Sequence, residues 1–304
     1  MDQIYSPDSL GELAGGGPLY GVIGFPVQHS LSPAMHTAAF ARCKLDARYV
    51  AVEVPPEQLA ATVARMKTLP FTGWNCTLPH KIALAGLMDG IDDTARRLGG
   101  VNTVFNDNGR LAGFNTDGEG WVRAVREEFS LDVRDLRVMI LGLGGAGRAV
   151  AAQAALEQCE KLVLVNRTMA KAQELRAQLA PQFDSEKLLG ADTRLKVVPW
   201  DETLIARELD QIDLVVNCTS LGLRASDAAV LPARILQPHL CVHDMVYRPA
   251  RTKLLAAARE AGARGANGLS MLVHQGALSF EIWTGQTAPL TAMRNALRAA
   301  ANAK

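Results

Sequence analysis

The sequence predicts a two-part α/β fold, and three observations carry that expectation. The chain has 304 residues, which at about 150 residues per domain suggests two domains. From residue 19 onward, short apolar runs alternate with helical stretches, the pattern of strands interleaved with covering helices. Near residue 140 an apolar strand runs straight into a glycine-rich loop and then an alanine-rich helix. Apolar residues make up 48% of the chain and charged residues 21%, so a sizeable buried core is possible and a disordered chain is excluded.

Taken in order, residues 1–18 are polar and glycine-rich, close on Gly15-Gly16-Gly17-Pro18, and read as a loose leader. Residues 19–25 read as a strand, 33–43 as a helix with Ser32 as its N-cap, 48–54 as a second strand and 56–68 as another helix. A strand is expected at 73–77, then a loop at Pro79 and a helical stretch from Lys81. This order predicts a mainly parallel sheet with helices on both faces and active-site residues at the carboxyl ends of its strands. A helix at 118–129 leads to a second α/β unit, with strands at 137–141, 161–166, 195–198, 214–218 and 240–245 and a helix at 148–158. The segment from 269 to the end reads as two helices separated by Thr284-Gly285. The run 291–301 is amphipathic, with Arg294 and Arg298 four apart, and is expected to pack on the first domain.

Charge and cysteine usage narrow the partners. The 32 Lys and Arg residues against 31 Asp and Glu leave a formal net charge of +1, without the basic excess that nucleic-acid binding normally requires. The N-terminus has no basic segment followed by an apolar one, so no secretory signal is expected. The most apolar stretch, 138–147, falls short of the roughly 20 residues needed to cross a bilayer. Five scattered cysteines form no C-x-x-C pair, and reduced, mostly buried thiols in a cytoplasmic protein are expected rather than disulfides or zinc. His239 and His243 are four apart but fall on a strand, where that spacing separates them by about 13 Å, so no metal site is expected. Ser220-Leu221-Gly222 lacks the first glycine of a nucleophile elbow, which leaves a hydrolase without support.

The glycine loop carries the first positive assignment. Gly142, Leu143, Gly144, Gly145 and Ala146 lead to Gly147 in a G-x-G-G-x-G pattern between strand and helix, the context a dinucleotide-binding βαβ unit requires. The first glycine permits the tight turn, the next ones let backbone approach a pyrophosphate, and the helix N-terminus supplies N–H groups and positive dipole. An NAD-preferring unit usually ends its second strand with a carboxylate for the ribose hydroxyls. This chain has Asn166, Arg167 and Thr168 there, with Lys171 one turn later. Arg167 can stack on adenine or make a charge-assisted bond to a ribose 2′-phosphate, so NADP is the expected cofactor.

Six further segments carry a family resemblance. They are His29-Ser30-Leu31-Ser32-Pro33, Asn75-Cys76-Thr77-Leu78-Pro79-His80-Lys81, Gly100-Val101-Asn102-Thr103, Gly113-Phe114-Asn115-Thr116-Asp117-Gly118, Asp244-Met245-Val246-Tyr247-Arg248-Pro249 and the run from Gly268 to Gly276. In this order and spacing, from about residue 20 to the end, the chain closely resembles the shikimate dehydrogenase family, which includes quinate/shikimate dehydrogenases. Four positions depart from the family's usual residues: Cys76 stands for Val, Gly100 for Ala, Asn267 for Asp and Ser270 for Gly.

The resemblance implies reversible hydride transfer between NADPH and 3-dehydroshikimate, giving shikimate on the route to chorismate and aromatic amino acids. Lys81 is implied as the proton donor and acceptor, with Asp117 as its partner. A free lysine titrates near about 10.4, so that role requires desolvation or a neighbouring cation. Ser30 and Ser32, together with Tyr247, are implied to hold the substrate carboxylate, and Thr77, Asn102, Asp117 and Gln275 the ring hydroxyls. Met245 and Gly268 are implied near the nicotinamide, and Asp93 as a further cofactor contact. The expected architecture is a substrate-binding and catalytic domain of residues 1–117 plus 270–304 and a Rossmann-type NADP-binding domain of residues 118–269, with a cleft between them that closes about a hinge. A small-molecule substrate, no nucleic acid, no membrane and a monomer or homodimer complete the expectation. The alternatives are a quinate/shikimate dehydrogenase using NAD or NADP and a non-catalytic sensor of metabolite and nucleotide; retention of Lys81 with Asp117 weighs against the sensor.

Overall fold

The computed structural model describes residues 3–183 and 191–302. Along the chain the elements are β1 (Ile4–Tyr5), β2 (Leu19–Gly24), α1 (Ser32–Arg42), β3 (Arg48–Glu53), α2 (Leu59–Met66), β4 (Phe71–Cys76), α3 (Lys81–Ala85), β5 (Gly90–Ile91), α4 (Asp93–Leu98), β6 (Thr103–Asp107), β7 (Arg110–Phe114) and α5 (Asp117–Phe129). There follow β8 (Arg137–Leu141), α6 (Gly145–Leu156), β9 (Lys161–Asn166), α7 (Met169–Phe183), α8 (Ala191–Arg194), β10 (Leu195–Pro199), α9 (Glu202–Leu209), β11 (Leu214–Asn217), β12 (Cys241–Asp244), α10 (Lys253–Glu260), β13 (Arg264–Asn267), α11 (Leu269–Thr284) and α12 (Leu290–Asn302). The chain divides into two compact units, Met1–Gly120 with Leu272–Lys304, and Trp121–Met271. No helix among the described residues is long and apolar enough to cross a membrane.

The first unit is built on a seven-stranded sheet in the order β1-β3-β2-β4-β6-β7-β5. Strand β2 is buried at all six positions, as a central strand covered on both faces must be. One face packs Leu19, Ile23, Met66, Phe71 and Trp74 into an aliphatic core. An aromatic group of Tyr20, His36, Phe40, Tyr49, Phe280 and Trp283 joins α1 and α11 to the sheet. Trp283 Nε1 donates to the Val104 carbonyl at 2.8 Å. The indole lies so close to β4 that a Cβ on Gly73 would come within 2.4 Å of it, which explains a glycine inside a central strand. Helix α12 lies on α1 with Met293 and Leu297 buried, the packing its amphipathic pattern anticipates.

The sheet is mainly parallel, as expected, except that β6 runs antiparallel to both β4 and β7. Strands β6 and β7 form a hairpin through Asn108 and Gly109, both at positive φ (51° and 92°), the conformation that an Asn-Gly turn favours. The leader is docked rather than loose: β1 pairs with β3, and Leu10 and Leu13 are 0% exposed in the aliphatic core. Arg48 donates to the Gly15 carbonyl at 2.8 Å and Arg65 to that of Pro7 at 2.9 Å, so the polar composition of the leader is matched by guanidinium partners. Finally, Ser32 is the first residue of α1 and Leu31 takes the cap position without a side-chain cap bond.

The second unit has the order β10-β9-β8-β11-β12-β13, all pairings parallel. The strand order reverses between β8 and β11, the topological switch point at which such sheets bind ligands. The glycine loop leaves β8 at that point. Helix α6 begins at Gly145, not 148, because the last glycines of the loop already form its first turn.

The docking of the leader has a measurable consequence. Leu13→Ala removes a fully buried side chain and should lower stability by about 2–5 kcal/mol. An unchanged urea midpoint would show that residues before β2 do not pack on the sheet in solution.

Candidate active site

In the first unit the functional side chains lie where strand ends converge. Parallel pairing of β2 with β4 sets Ile23 beside Cys76, and Thr77 N donates to the Ile23 carbonyl at 2.9 Å. The segments carrying Ser30 and Ser32, after β2, and Thr77 and Lys81, after β4, therefore leave the same sheet edge, with Ser32 and Lys81 opening α1 and α3. Antiparallel β6 and β7 then bring the start of one strand and the end of the other to that edge, with Thr103 opposite both Asn75 and Phe114. This reversal lets Asn102 and Asp117 join residues far away in sequence.

Lys81 Nζ donates to Asp117 Oδ2 at 2.6 Å, and the side chains of the pair are 15% and 7% exposed. Asn102 Nδ2 donates to Asp117 Oδ1 at 2.8 Å and approaches Gln275 Oε1 at 3.5 Å. Its amide orientation is fixed by Thr116 N, which donates to Asn102 Oδ1 at 2.8 Å. Asn115 Oδ1 accepts from Asp117 N at 3.0 Å, while Asn115 Nδ2 donates to the Gly100 carbonyl at 2.8 Å. His80 Nε2 donates to the Val54 carbonyl at 2.7 Å, anchoring the turn into α3 just before Lys81. Ser30 Oγ accepts from Ser32 N at 3.3 Å. Gln275 Nε2 donates to the Leu272 carbonyl at 3.0 Å.

Lys81, Asn102, Asp117 and Gln275 are thus brought into one hydrogen-bonded group. Asp93 takes no part in it; it is the first residue of α4, exposed, and paired with Arg96 at 2.6 Å. The sequence reading gave no role to a layer beneath this group. There Tyr49 donates to Asn75 Oδ1 at 2.8 Å, and Asn75 Nδ2 donates to Ser279 Oγ at 2.9 Å. Ser279 and Thr103 share a hydrogen bond at 2.7 Å, and Ser279 also donates to the Gln275 carbonyl at 3.0 Å. The four-residue spacing from Gln275 to Ser279 on α11 was the available signal, since it stacks both on one helix face. Burial also pushes the Cys76 thiol up to about 12, so it is neutral beside the Lys81 and Asp117 charges.

In the second unit the loop glycines differ in what they permit. Gly142 adopts φ +87°, and Gly147 comes so close to it that a Cβ would lie 2.0 Å from the Gly142 carbonyl oxygen. At Gly144 and Gly145 a Cβ would meet nothing within 4 Å. The first pair shapes the turn, and the second leaves open space at the start of α6 that fits a pyrophosphate. Asn166 Oδ1 accepts from Leu143 N at 3.3 Å and its Nδ2 donates to the Thr168 carbonyl at 2.9 Å, tying the end of β9 to the loop. Arg167, Thr168 and Lys171 are exposed beyond it. Met245 and Tyr247 follow β12; both are half-buried, and burial raises the Tyr247 phenol above its usual pKa. Gly268 fits so tightly against this turn that a Cβ would lie 2.2 Å from the Met245 carbonyl oxygen. Asn217, Asp244 and Thr252, also unassigned from sequence, form a buried group at the same strand ends. No cluster of three or more metal-ligating side chains occurs among the described residues.

Three family models match the chain: the shikimate dehydrogenase substrate binding domain over residues 22–104, shikimate / quinate 5-dehydrogenase over 123–220, and the shikimate 5′-dehydrogenase C-terminal domain over 268–298. The shikimate dehydrogenase (NADP(+)) of Methanopyrus kandleri is 44% identical over 279 residues, covering 91% of this chain and 93% of its own. That of Moorella thermoacetica is 44% identical over 287 residues, covering 94% of each. The crystal structure of shikimate 5-dehydrogenase from Thermus thermophilus, in complex with NADP(H) and shikimate, superposes with a TM-score of 0.82 at 35% identity, covering 93% of this chain and 99% of that one.

The two kinds of loop glycine should separate experimentally. Gly147→Ala is expected to lower the thermal midpoint, because the methyl has no room. Gly145→Ala should leave the midpoint nearly unchanged and weaken dinucleotide binding by about tenfold or more, the methyl occupying the space the phosphates need. Equal effects of both variants on stability would contradict the division.

Proposed function

The chain belongs to the shikimate dehydrogenase family, and from that premise we propose that it is an NADP-dependent shikimate dehydrogenase, reducing 3-dehydroshikimate reversibly to shikimate on the route to chorismate. The observation that carries the reading is the nearly buried Lys81 ammonium held 2.6 Å from Asp117 inside a group of polyol-binding side chains. When bound, NADPH would supply the hydride given to the ring carbon, and NADP⁺ would accept the hydride taken from it.

Reduction of the ketone leaves negative charge on its oxygen, and Lys81 Nζ donates the proton that neutralises it; in the reverse direction the same amine removes the alcohol proton. Asp117 Oδ2 orients Nζ and accepts from the adjacent ring hydroxyl. Asn102 holds Asp117 through Oδ1 and, with Thr77 and Gln275, pairs the remaining hydroxyls. A site with so many hydroxyl partners rejects analogues that lack one, because its own polar groups are then left unpaired. Ser30 and Ser32, together with Tyr247, take the ring carboxylate. The cofactor residues are Gly142, Leu143, Gly144, Gly145, Ala146, Asn166, Arg167, Thr168, Lys171, Met245 and Gly268, with Asp93 in addition. The absence of a carboxylate at Asn166-Arg167-Thr168 supports the 2′-phosphorylated cofactor.

In this reading residues 1–117 with 270–304 form the substrate domain and 118–269 the cofactor domain. The scattered, unpaired cysteines support a cytoplasmic location and the even charge balance a protein that does not bind nucleic acid, with a monomer or homodimer completing the reading.

Absorbance of reduced nicotinamide, followed with shikimate or quinate and with NADP⁺ or NAD⁺, tests the reaction; turnover is expected to be fastest with shikimate and NADP⁺, and none in any combination would overturn it. Lys81→Ala should lower kcat by about 10² to 10⁴ with shikimate binding largely kept, whereas unchanged kcat removes Lys81 from proton transfer. Ser30→Ala should mainly raise KM for shikimate, and a pure kcat effect would contradict a carboxylate anchor. Arg167→Ala should narrow the preference for NADP⁺ over NAD⁺ by about tenfold, the worth of a charge-assisted bond; a preference that stays put would assign the phosphate elsewhere.

A further inference from the structure

We propose that Asn217 and Asp244 are positioning residues for the dinucleotide, a buried amide–carboxylate clamp that ties the glycine-loop side of the second unit to the turn carrying Met245. The proposal rests on the reading that this unit binds NADP.

Both residues are 0% exposed and end neighbouring parallel strands, Asn217 opposite Asp244 in the register of β11 with β12. Every polar atom of the pair has a defined task. Asn217 Oδ1 accepts from Thr219 N at 3.0 Å and from Thr219 Oγ1 at 2.7 Å. Because a backbone N–H can only donate, the amide orientation is settled, and Asn217 Nδ2 donates to Asp244 Oδ1 at 2.9 Å and to the Leu221 carbonyl at 3.2 Å. Asp244 Oδ1 also accepts from Val246 N at 3.1 Å, and Oδ2 accepts from Thr252 Oγ1 at 2.5 Å.

Each end of the clamp reaches a cofactor element through a close contact. Thr219 packs on the first glycine of the loop: a Cβ on Gly142 would come within 2.6 Å of Thr219 Cγ2. Val246 follows Met245, whose carbonyl oxygen leaves no room for a Cβ on Gly268, and Gly268 N donates to the Val246 carbonyl at 3.4 Å. The Asn217–Asp244 hydrogen bond therefore reinforces the backbone bond from Met245 N to the Asn217 carbonyl at 3.0 Å in setting the spacing of the pyrophosphate turn and the Met245 turn. An apolar pair would join the two strands without the cost of desolvating a carboxylate, but it would leave Val246 N and Thr219 N without these acceptors.

The test measures binding of NADPH and of NADP⁺ to the purified full-length protein by titration calorimetry without shikimate, beside urea unfolding and steady-state kinetics. Asp244→Ala and Asn217→Ala should each weaken cofactor binding by about tenfold or more while the shikimate KM at saturating NADP⁺ stays within about twofold. Asp244→Asn keeps an acceptor for Val246 N and should restore most of the affinity. Thr219→Val, at a half-buried position, keeps the methyl on Gly142 and removes the hydroxyl, which donates to Asn217 Oδ1 and accepts from Leu221 N at 3.1 Å, so it serves if the alanine variants do not fold; it should weaken binding by about threefold to tenfold. Folded variants that bind both nucleotides as the wild type does, or that lose shikimate affinity in equal measure, would overturn the clamp. Failure of the wild type itself to bind either nucleotide would overturn the underlying reading of the unit, and the clamp with it.

Discussion

Burying a carboxylate costs several kcal/mol unless a countercharge and hydrogen-bond donors take the place of water, and the edge of the first unit that carries Lys81 is arranged around meeting that requirement at Asp117. Lys81 supplies the charge and Asn102 a donor, while the carbonyl oxygen of Asn115's side chain holds the backbone N–H of Asp117 itself. These partners come from three separate stretches of sequence. They can meet only because β6 and β7 reverse direction beside β4, which brings residues 102 and 115–117 back to the edge where β4 delivers Lys81. Removal of either charge would leave the other nearly dry and unpaired, so the pair is kept together by the cost of separating it. The Tyr49–Asn75–Ser279–Thr103 layer then holds the amides and hydroxyls from behind, so few of the group's polar atoms are free to turn away.

The second unit meets a different constraint, the close approach of backbone to backbone. Gly142, Gly147 and Gly268 are each placed where a Cβ would collide with a carbonyl oxygen or a methyl group. Gly144 and Gly145 are not crowded by protein at all, and their bare backbone faces open space. Glycine thus serves two opposite ends within six residues: closing the turn onto itself and leaving it open to a ligand. The sheet order, reversing between β8 and β11, puts that turn at the switch point.

Legibility in the sequence followed the range of the interaction. Strands β8 and β9 were readable to the residue, since a continuous apolar run bounded by Arg137 and by the glycine loop leaves little choice of register. The β6–β7 hairpin is hidden although Asn108-Gly109 is a strong turn signal, because the polar Asn106 and Asp107 break the apolar alternation that marks a strand. The packing of the leader is hidden for a related reason. Its glycine content suggested a loose chain, whereas two leucines three apart, Leu10 and Leu13, were enough to bury one side of a 3-10 turn. Among the site residues, Lys81 and Asp117 were legible through motifs. Ser279, Asn217 and Thr252 were not, because a lone Ser, Asn or Thr inside an apolar helix or at a strand end acquires meaning only from the partner that folding brings to it.

Two of the four departures from the family's usual residues have a local structural account, while the buried Ser270 hydroxyl has no hydrogen-bond partner among the described residues. At Gly100 a Cβ would sit 3.2 Å from the Lys81 carbonyl oxygen, so a methyl there is tight but tolerable and glycine relaxes the contact. Asn267 keeps the acceptor an Asp would offer to Leu269 N and adds a donor to the Ala250 carbonyl. The two buried aspartates show how the same side chain divides into two roles. Asp117 faces an ammonium at 2.6 Å, so a countercharge balances its own. Asp244 meets only neutral donors from Asn217, Val246 and Thr252, and burial holds its pKa above the usual carboxylate value. With no cation beside it, Asp244 can contribute geometry alone, whereas Asp117 is held in an ion pair with Lys81.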